Sequence, residues 1–455
     1  MIIRGIPVAP SAGMRPRHVV VAGAGLAGLA AAHELSQHGL AITIVEARDR
    51  VGGRVWTVGH PFPDGHHGEL GGEFIDADQK QMHRLAALFG LPLVPVLRGG
   101  FVQRFRSADG GFTVGRAHTW QALGRAFAPL VARYRAAGGR LDSEAVREIS
   151  TYSVRDWLRH VEADGEVHAV ANAMRGFFLG DPEELSALPL VEQLTKQDSP
   201  GQTSMSRIVG GNGRLIDALV SAITGRLLLR HTIRSIAHAV DRVIVRVHDD
   251  RGLLQEIEAD AAIVTLPACV LRGIEITPPL PDDQHHAIAS LRYGRATKVV
   301  LANTGSLLSR RHARAFATDT ALGAFWDSTE GQIGQARSTL TFLAGGSASA
   351  MLRQRARDGA SRLLDDLCWL HLDRGRDRST PAPLTEMAVA TWEEDPLAQG
   401  GYAVFDPGFD PAWRPLLSRR AGRLVFAGEH TSEKYQGYME GAVESGIRAA
   451  HELGA

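Results

Sequence analysis

The run from His18 to Glu46 constrains this chain more than any other. His18 to Ala22 reads HVVVA, a short strand by its branched apolar residues. GAGLAG follows at Gly23 to Gly28, then the helix-like LAAAHELSQHG, with Gly39 placed to cap it. A second apolar run, AITIVE, closes on Glu46. Strand, glycine turn, helix, strand and terminal acid together form a βαβ dinucleotide-binding fingerprint. In it Gly23 permits the tight turn, Gly25 lets backbone approach a pyrophosphate, and Gly28 lets helix and sheet pack closely. The helix N-terminus offers free amides to an anion, and Glu46 stands where a carboxylate holds ribose hydroxyls.

With 455 residues the chain is too long for one ordinary core, so two domains are expected. Lys+Arg and Asp+Glu each total 50, which leaves no electrostatic footprint for nucleic acid or an anionic membrane. Cys269 and Cys368, the two cysteines, form neither a metal spacing nor a disulfide framework, as suits a reducing compartment. No metal site is expected. Residues 1–15 contain prolines and arginines where a signal peptide needs an unbroken apolar stretch, and read as a disordered leader. No apolar run reaches the length of a membrane span. The expectation is a soluble, cytoplasmic protein.

A second glycine element, RVGGRVWT at Arg50 to Thr57, lies close behind Glu46 and exceeds what a nicotinamide fingerprint needs. A further backbone approach with a guanidinium suits a larger ligand lying extended across the domain. Here the chain resembles the FAD-dependent amine oxidases. The resemblance strengthens at RLVFAGEHTSEKYQGYMEGAVESGIRAA, Arg423 to Ala450, and at TWEEDPLAQGGYAVFDPG, Thr391 to Gly408. It implies FAD contacts from Gly23, Gly25, Gly28, Glu46, Arg48, Gly53, Arg54, Gly71, Gly72, Trp392, Gly428 and Glu429. Glu429 would hold the ribityl chain, and the amide of Met439 would face the flavin pyrimidine. Ile233 falls where the family places a backbone contact to adenine. Tyr402 and Tyr438 resemble the family's aromatic cage, two rings flanking the path of the amine. Gly401 stands where mammalian monoamine oxidases carry the cysteine that bonds the flavin, so FAD is expected to be non-covalent.

Lys298 lies in TKVVL, a strand by its branched residues, where a lysine is unusual. An edge strand would explain it. The resemblance gives a second reading, an active-site lysine that reaches flavin N5 through a water. Asp76, in ELGGEFIDAD, aligns with an acidic residue in the tunnel of plant polyamine oxidases and could hold a distal ammonium. It also sits where a helix N-cap would, before ADQKQMHRLAALFG. Phe74 replaces the tunnel tryptophan, and Ala296 replaces a tyrosine two residues before the lysine.

The implied fold is α/β: a discontinuous Rossmann-like FAD-binding domain, similar to glutathione reductase, with a mixed α+β substrate-binding domain. Residues 16–84, 205–280 and 386–455 are assigned to the first, and 85–204 and 281–385 to the second. The implied activity is oxidation of an amine to an imine by hydride transfer to flavin. Dioxygen would become hydrogen peroxide, and water would hydrolyse the imine. Lys298, Tyr402 and Tyr438 are the candidate catalytic residues; Asp76 and Phe74 join the two tyrosines in substrate binding. Partners would be a small amine and dioxygen, and a homodimer is one assembly open to the chain. An L-amino-acid oxidase would need an arginine aimed at the substrate carboxylate. A desaturase or porphyrinogen-type oxidase gives no reason for both tyrosines and Lys298. A non-catalytic flavin-binding or partner-binding module also remains open.

Overall fold

The computed structural model describes residues 16–62, 65–97, 101–106, 112–114, 117–196, 205–303, 315–332, 338–369 and 386–455. The expected leader therefore lies outside the described residues. A five-stranded sheet orders Arg226–Leu228, Ala41–Val45, His18–Ala22, Ala261–Val264 and Leu424–Phe426, all parallel. Its strands are largely apolar because both faces are covered. Val19, Val21, Ile42 and Ile44 face helices Leu26–Gln37, Gly213–Ala222 and Met439–Glu452. Val20, Ala22, Val45 and Val264 face a four-stranded sheet built from Thr232–His238, Val243–His248, Leu254–Ala259 and Glu275–Thr277. A tight turn, closed by the Ala239 amide on the Arg242 carbonyl at 2.8 Å, joins the first two of these strands in antiparallel pairing.

A seven-stranded sheet forms the second half, in the order Glu386–Thr391, Ala296–Asn303, Ser338–Gly345, Ala324–Asp327, Ala315–Thr318, Val102–Arg106 and Phe112–Val114. Strand alternation divides the Ala296–Asn303 strand between two cores. Val299 and Leu301 pack toward helices Ser347–Arg357 and Ala360–Trp369, while Ala296 and Val300 pack toward Leu70, Leu179 and Trp392. Lys298 shares the second face, which looks toward the parallel sheet's half. A helical layer, including Ala117–Ala136 and Ala187–Lys196, adds a separate core around Phe127, Trp157 and Val191.

Pairing and burial cross four of the expected divisions. Glu386–Thr391 was expected in the FAD-binding half, yet it pairs along its length with the Lys298 strand. Leu93–Val96 and Met205–Ile208 pair with each other, and Ile75–Asp76 joins them in a three-stranded sheet that crosses the divisions at 84 and 204. Helix Asp282–Ser290 buries Ala287 and Ile288 in the core beneath the four-stranded sheet, across the division at 280. Each crossing comes from pairing or burial between distant segments. No helix among the described residues is long and apolar enough to cross a membrane.

Candidate active site

Glycine geometry builds the first pole of the site. Gly23 takes φ +107°, and a Cβ on Gly28 would lie 2.0 Å from the Gly23 carbonyl oxygen, so strand and helix meet only without side chains. At Gly25 a Cβ would meet nothing within 4 Å. Gly25 is also the N-cap of Leu26–Gln37, and no side chain caps that helix. Its first amides take no side-chain cap, the arrangement that receives a phosphate. Gly53 closes against it, since a Cβ there would lie 3.3 Å from Gly25 Cα. Glu46, buried at the strand end, accepts from the Ala24 and Arg48 amides at 2.9 Å each. The Arg48 guanidinium is paired with Asp395 at 2.8 Å.

The second pole joins segments far apart in sequence. Arg54 Nη1 donates to Glu429 Oε1 at 2.9 Å and to the Gly401 carbonyl at 2.8 Å. Burial alone would lower the Arg54 pKa; the Glu429 carboxylate reverses this and raises it. Glu429 Oε2 accepts from the Gly437 amide at 2.9 Å. The Gly72 amide donates to the Arg54 carbonyl at 2.9 Å, and a Cβ on Gly71 would lie 1.8 Å from that oxygen. A Cβ on Gly72 would approach Met439 Sδ to 3.0 Å. Met439 begins helix Met439–Glu452, whose N-cap Tyr438 makes no side-chain cap bond. Two uncapped helix N-termini therefore belong to one site. A Cβ on Gly446 would lie 2.3 Å from the Ala27 carbonyl, so small residues let these helices cross closely. Beside Gly428 (φ +128°), burial drives the His430 pKa down to about 4 and leaves the ring neutral. Ile233 is buried beside an irregularity in its strand, and Trp392 donates Nε1 to the Leu70 carbonyl at 2.9 Å.

Lys298 is not on an edge. Its strand lies between two others, and the residue is 3% exposed. The ammonium donates to Glu73 Oε2 at 2.7 Å and to the Gly71 carbonyl at 2.9 Å. Its charge partner within the protein is therefore the Glu73 carboxylate. Glu73 also accepts from Trp326 Nε1 at 2.8 Å and lies 3.5 Å from Arg207 Nη1. Burial would raise the Glu73 pKa, but Lys298 and Arg207 outweigh it and hold the group ionised. Nearby Glu69 has no such cation at contact among the described residues, and burial pushes it up to about 7 despite bonds from the Asn212 amide and Thr57.

An aromatic wall adjoins this cluster. Phe74 packs on Trp326 with ring centroids 5.2 Å apart, Trp326 meets Phe101 at 6.0 Å, and Phe101 meets Phe177 at 4.7 Å. The Tyr402 hydroxyl bonds the Phe177 carbonyl, and its ring lies against Gly437. Burial and then Tyr438 raise the Tyr402 pKa. Tyr438 is 44% exposed, and burial of its phenol with Asp76 and Asp78 nearby lifts it to about 12. Both phenols are thus neutral donors near neutral pH. Asp76 does not cap the following helix. Lys80–Leu88 has Gln79 as N-cap with no side-chain bond, and Glu440 takes the Gln81 and Met82 amides at 2.8 Å each. Asp76 instead accepts from Gln79 Nε2 at 3.2 Å, and burial with Asp78 raises its pKa.

Sequence reasoning passed over Glu73, Arg207, Trp326 and Asn212. Glu73 stands inside ELGGEFIDAD, between residues already singled out, and a second charge in an apolar stretch was its signal. Asn212 sits in the GGNG turn and bonds the Gly72 and Glu73 carbonyls at 3.1 and 2.8 Å. Arg207 carries no local signal among so many arginines.

The glycine cradle, the paired uncapped helices and the lysine beside an aromatic wall define a flavoprotein oxidoreductase site. The description "Flavin containing amine oxidoreductase" belongs to the family model that matches residues 26–454. An L-amino-acid oxidase of Mus musculus is 30% identical, covering 96% of this chain and 70% of the relative. A Mycobacterium tuberculosis protein named as a flavin-containing monoamine oxidase is 28% identical, over 96% of both chains. Cyclohexylamine oxidase from Brevibacterium oxydans shares the fold at TM-score 0.82 and 22% identity, covering 96% of this chain and 98% of its own. The chain belongs to the flavin-containing amine oxidoreductase family, and its cofactor is FAD.

Proposed function

We propose that the chain oxidises the C–N bond of a small amine at a non-covalently held FAD, with dioxygen as the final acceptor and hydrogen peroxide as co-product. FAD, when bound, supplies a two-electron sink that takes the α-hydrogen of the substrate as hydride. The observation that carries the reading is a convergence: Lys298 Nζ, the Gly71–Gly72 backbone and the uncapped N-terminus at Met439 meet beside Tyr402. Gly23, Gly25, Gly28 and Gly53 would cradle the pyrophosphate, and Glu46 and Arg48 would serve the ribose end. Glu429 and Arg54 would hold the ribityl chain, and the Met439 amide would stabilise negative charge on the reduced ring.

Tyr402 and Tyr438 would orient the incoming amine between two faces and narrow the approach. Excluding water there leaves the amine neutral, the form that releases a hydride. Hydrolysis of the product imine to a carbonyl compound and an amine or ammonia needs no protein acid or base. Lys298, held by Glu73, would stabilise the anion formed as dioxygen takes its first electron. Asp76, beside Tyr438 and without a capping duty, would receive a second ammonium if the substrate carries one. Gly401 supports the non-covalent mode, because a Cβ there would lie 2.9 Å from Ala296 Cβ and 2.4 Å from Leu179 Cδ1. The named relatives divide between L-amino acids and monoamines, so the pocket rather than kinship must decide the substrate. Two lone cysteines suit a cytoplasmic setting.

Anaerobic mixing of the purified holoprotein with a panel of amines and amino acids tests the reading. Flavin absorbance should bleach with at least one of them and return on admitting oxygen. A flavin that no member of the panel reduces would overturn it in favour of a non-catalytic flavin-binding module.

A further inference from the structure

We propose that Asn212 is a positioning residue for the cofactor: it locks residues 71–73, and with them the seat of Lys298, against the start of helix Met439–Glu452, and so sets the reduction potential of bound FAD. The inference rests on the reading above of what Lys298 and the Met439 amide do. Asn212 is 1% exposed and occupies the N-cap position of helix Gly213–Ala222. Asparagine is among the best capping residues, yet here its side chain makes no cap bond. Nδ2 serves other segments instead. It donates to the Gly72 carbonyl at 3.1 Å and to the Glu73 carbonyl at 2.8 Å, and lies 3.8 Å from Met439 Sδ.

Three successive carbonyls are therefore held: Gly71 by Lys298 Nζ at 2.9 Å, and Gly72 and Glu73 by Asn212. The Gly72 amide is held too, by the Arg54 carbonyl at 2.9 Å. One buried carboxamide thus joins the backbone that seats Lys298 to the first residue of a helix whose N-terminus no side chain caps. Asn212 is fixed from behind in its turn. Its amide donates to Glu69 Oε1 at 2.7 Å. Thr57 Oγ1 donates to the same carboxyl group at 2.9 Å and accepts from the Gly213 amide at 2.7 Å. This close approach depends on glycine, since Gly211 takes φ +98° and a Cβ there would lie 2.4 Å from Thr57 Cγ2. A satisfied buried network of this kind specifies one arrangement of its parts. An ammonium and a helix N-terminus both favour the added negative charge of reduced flavin. Displacing them weakens the hold on the reduced form more than on the oxidised form, and the ratio of those affinities is read as the reduction potential.

Anaerobic reduction of the holoprotein with dithionite beside a reference dye measures that potential without any amine. Asn212→Ser keeps a side chain able to cap helix Gly213–Ala222, but its hydroxyl ends one bond short of Nδ2. The potential should become more negative by about 30 mV, which is about a tenfold loss of affinity for reduced relative to oxidised FAD. Should that variant fail to fold, Thr57→Val removes the hydroxyl behind Asn212 and leaves Asn212 itself intact; it should move the potential in the same direction. A merely structural role would lower the unfolding temperature and weaken both oxidation states of FAD alike. The potential would then stay at the wild-type value, and that result overturns the proposal. The oxidase reading is judged separately. A flavin that no amine or amino acid bleaches removes that reading, whereas an unmoved potential removes only the role of Asn212.

Discussion

The Lys298–Glu73 pair makes a sharp forecast because each partner is buried and each is the other's charge. Lys298→Met leaves Glu73 with Arg207 alone and should cost about 3–5 kcal/mol of stability. The double variant Lys298→Met/Glu73→Gln should lose less than the sum of the two single losses in urea or thermal unfolding, although it also leaves Arg207 without its ion pair to Glu73; simple addition of the two single losses would show that the pair is not coupled. In catalysis, stopped flow separates the half-reactions. Flavin reduction by substrate should survive Lys298→Met, whereas reoxidation by dioxygen should slow by on the order of 100-fold, since only that step develops an anion beside the ammonium. A collapse of the reductive rate alone would assign Lys298 to substrate positioning. Glu69 gives a pH forecast. Its folded pKa is raised to about 7 from 4.5, so the protonated form favours the native state. That contribution is complete below pH 4.5 and is lost as pH rises through about 7. Glu69→Gln should therefore gain on the wild type across this window, by on the order of 3 kcal/mol. Parallel stability curves for the two proteins would contradict the assignment. Lys298 was legible because a lysine in TKVVL breaks the strand pattern, and Glu73 breaks its own stretch in the same way. Arg207 was not, because what distinguishes it is its contacts with Ser328, Glu73 and Phe74, which exist only once distant segments have come together.

At the scale of elements, what the chain hid was pairing across distance. The strand–glycine–helix unit from His18 to Val45 formed as read, because every signal it needs is local. Helix Lys80–Leu88 is different: its N-terminus is satisfied by Glu440, from a helix near the other end of the chain, and no local pattern could show that. Asp76 filled the expected place in sequence, but its side chain turns to Gln79. The strand Glu386–Thr391 likewise looked continuous with the Trp392 motif, while its hydrogen bonds go to the Lys298 strand. The caps can be told apart by experiment. Glu440→Ala should destabilise the protein by about 0.5–2 kcal/mol through loss of the cap. Asp76→Asn should change stability by less than about 0.5 kcal/mol. If Asp76 receives a second ammonium, that variant should also lose preference for a diamine over a monoamine of equal length by at least about tenfold, or about 1.4 kcal/mol. A larger stability loss in Asp76→Asn than in Glu440→Ala would reverse the two roles.

The whole molecule is organised around a ligand that its sequence announces twice, at Gly23–Gly28 and again at Gly428–Met439. The parallel sheet takes its five strands from segments scattered between His18 and Phe426. Across it, helices Leu26–Gln37 and Met439–Glu452 both end in uncapped N-termini at the cofactor site. Backbone amides left without partners favour a bound anion or carbonyl, so FAD should stabilise the assembled sheet rather than merely occupy it. The expected stabilisation is about 2.7 kcal/mol at a free FAD concentration one hundred times the Kd. Because Gly401 leaves no room for a linking side chain, acid or heat should release FAD intact into the supernatant. Protein stripped of FAD should then unfold at a lower temperature, and added FAD should restore the midpoint in a graded, concentration-dependent way. Glu46→Ala and Glu429→Ala should each require more FAD for the same recovery, by about 10- to 150-fold for charge-assisted bonds worth 1.5–3 kcal/mol. An unfolding midpoint insensitive to FAD would mean that the two helix ends are satisfied without it. Flavin that stays on the precipitated chain would mean that some other side chain bonds it covalently.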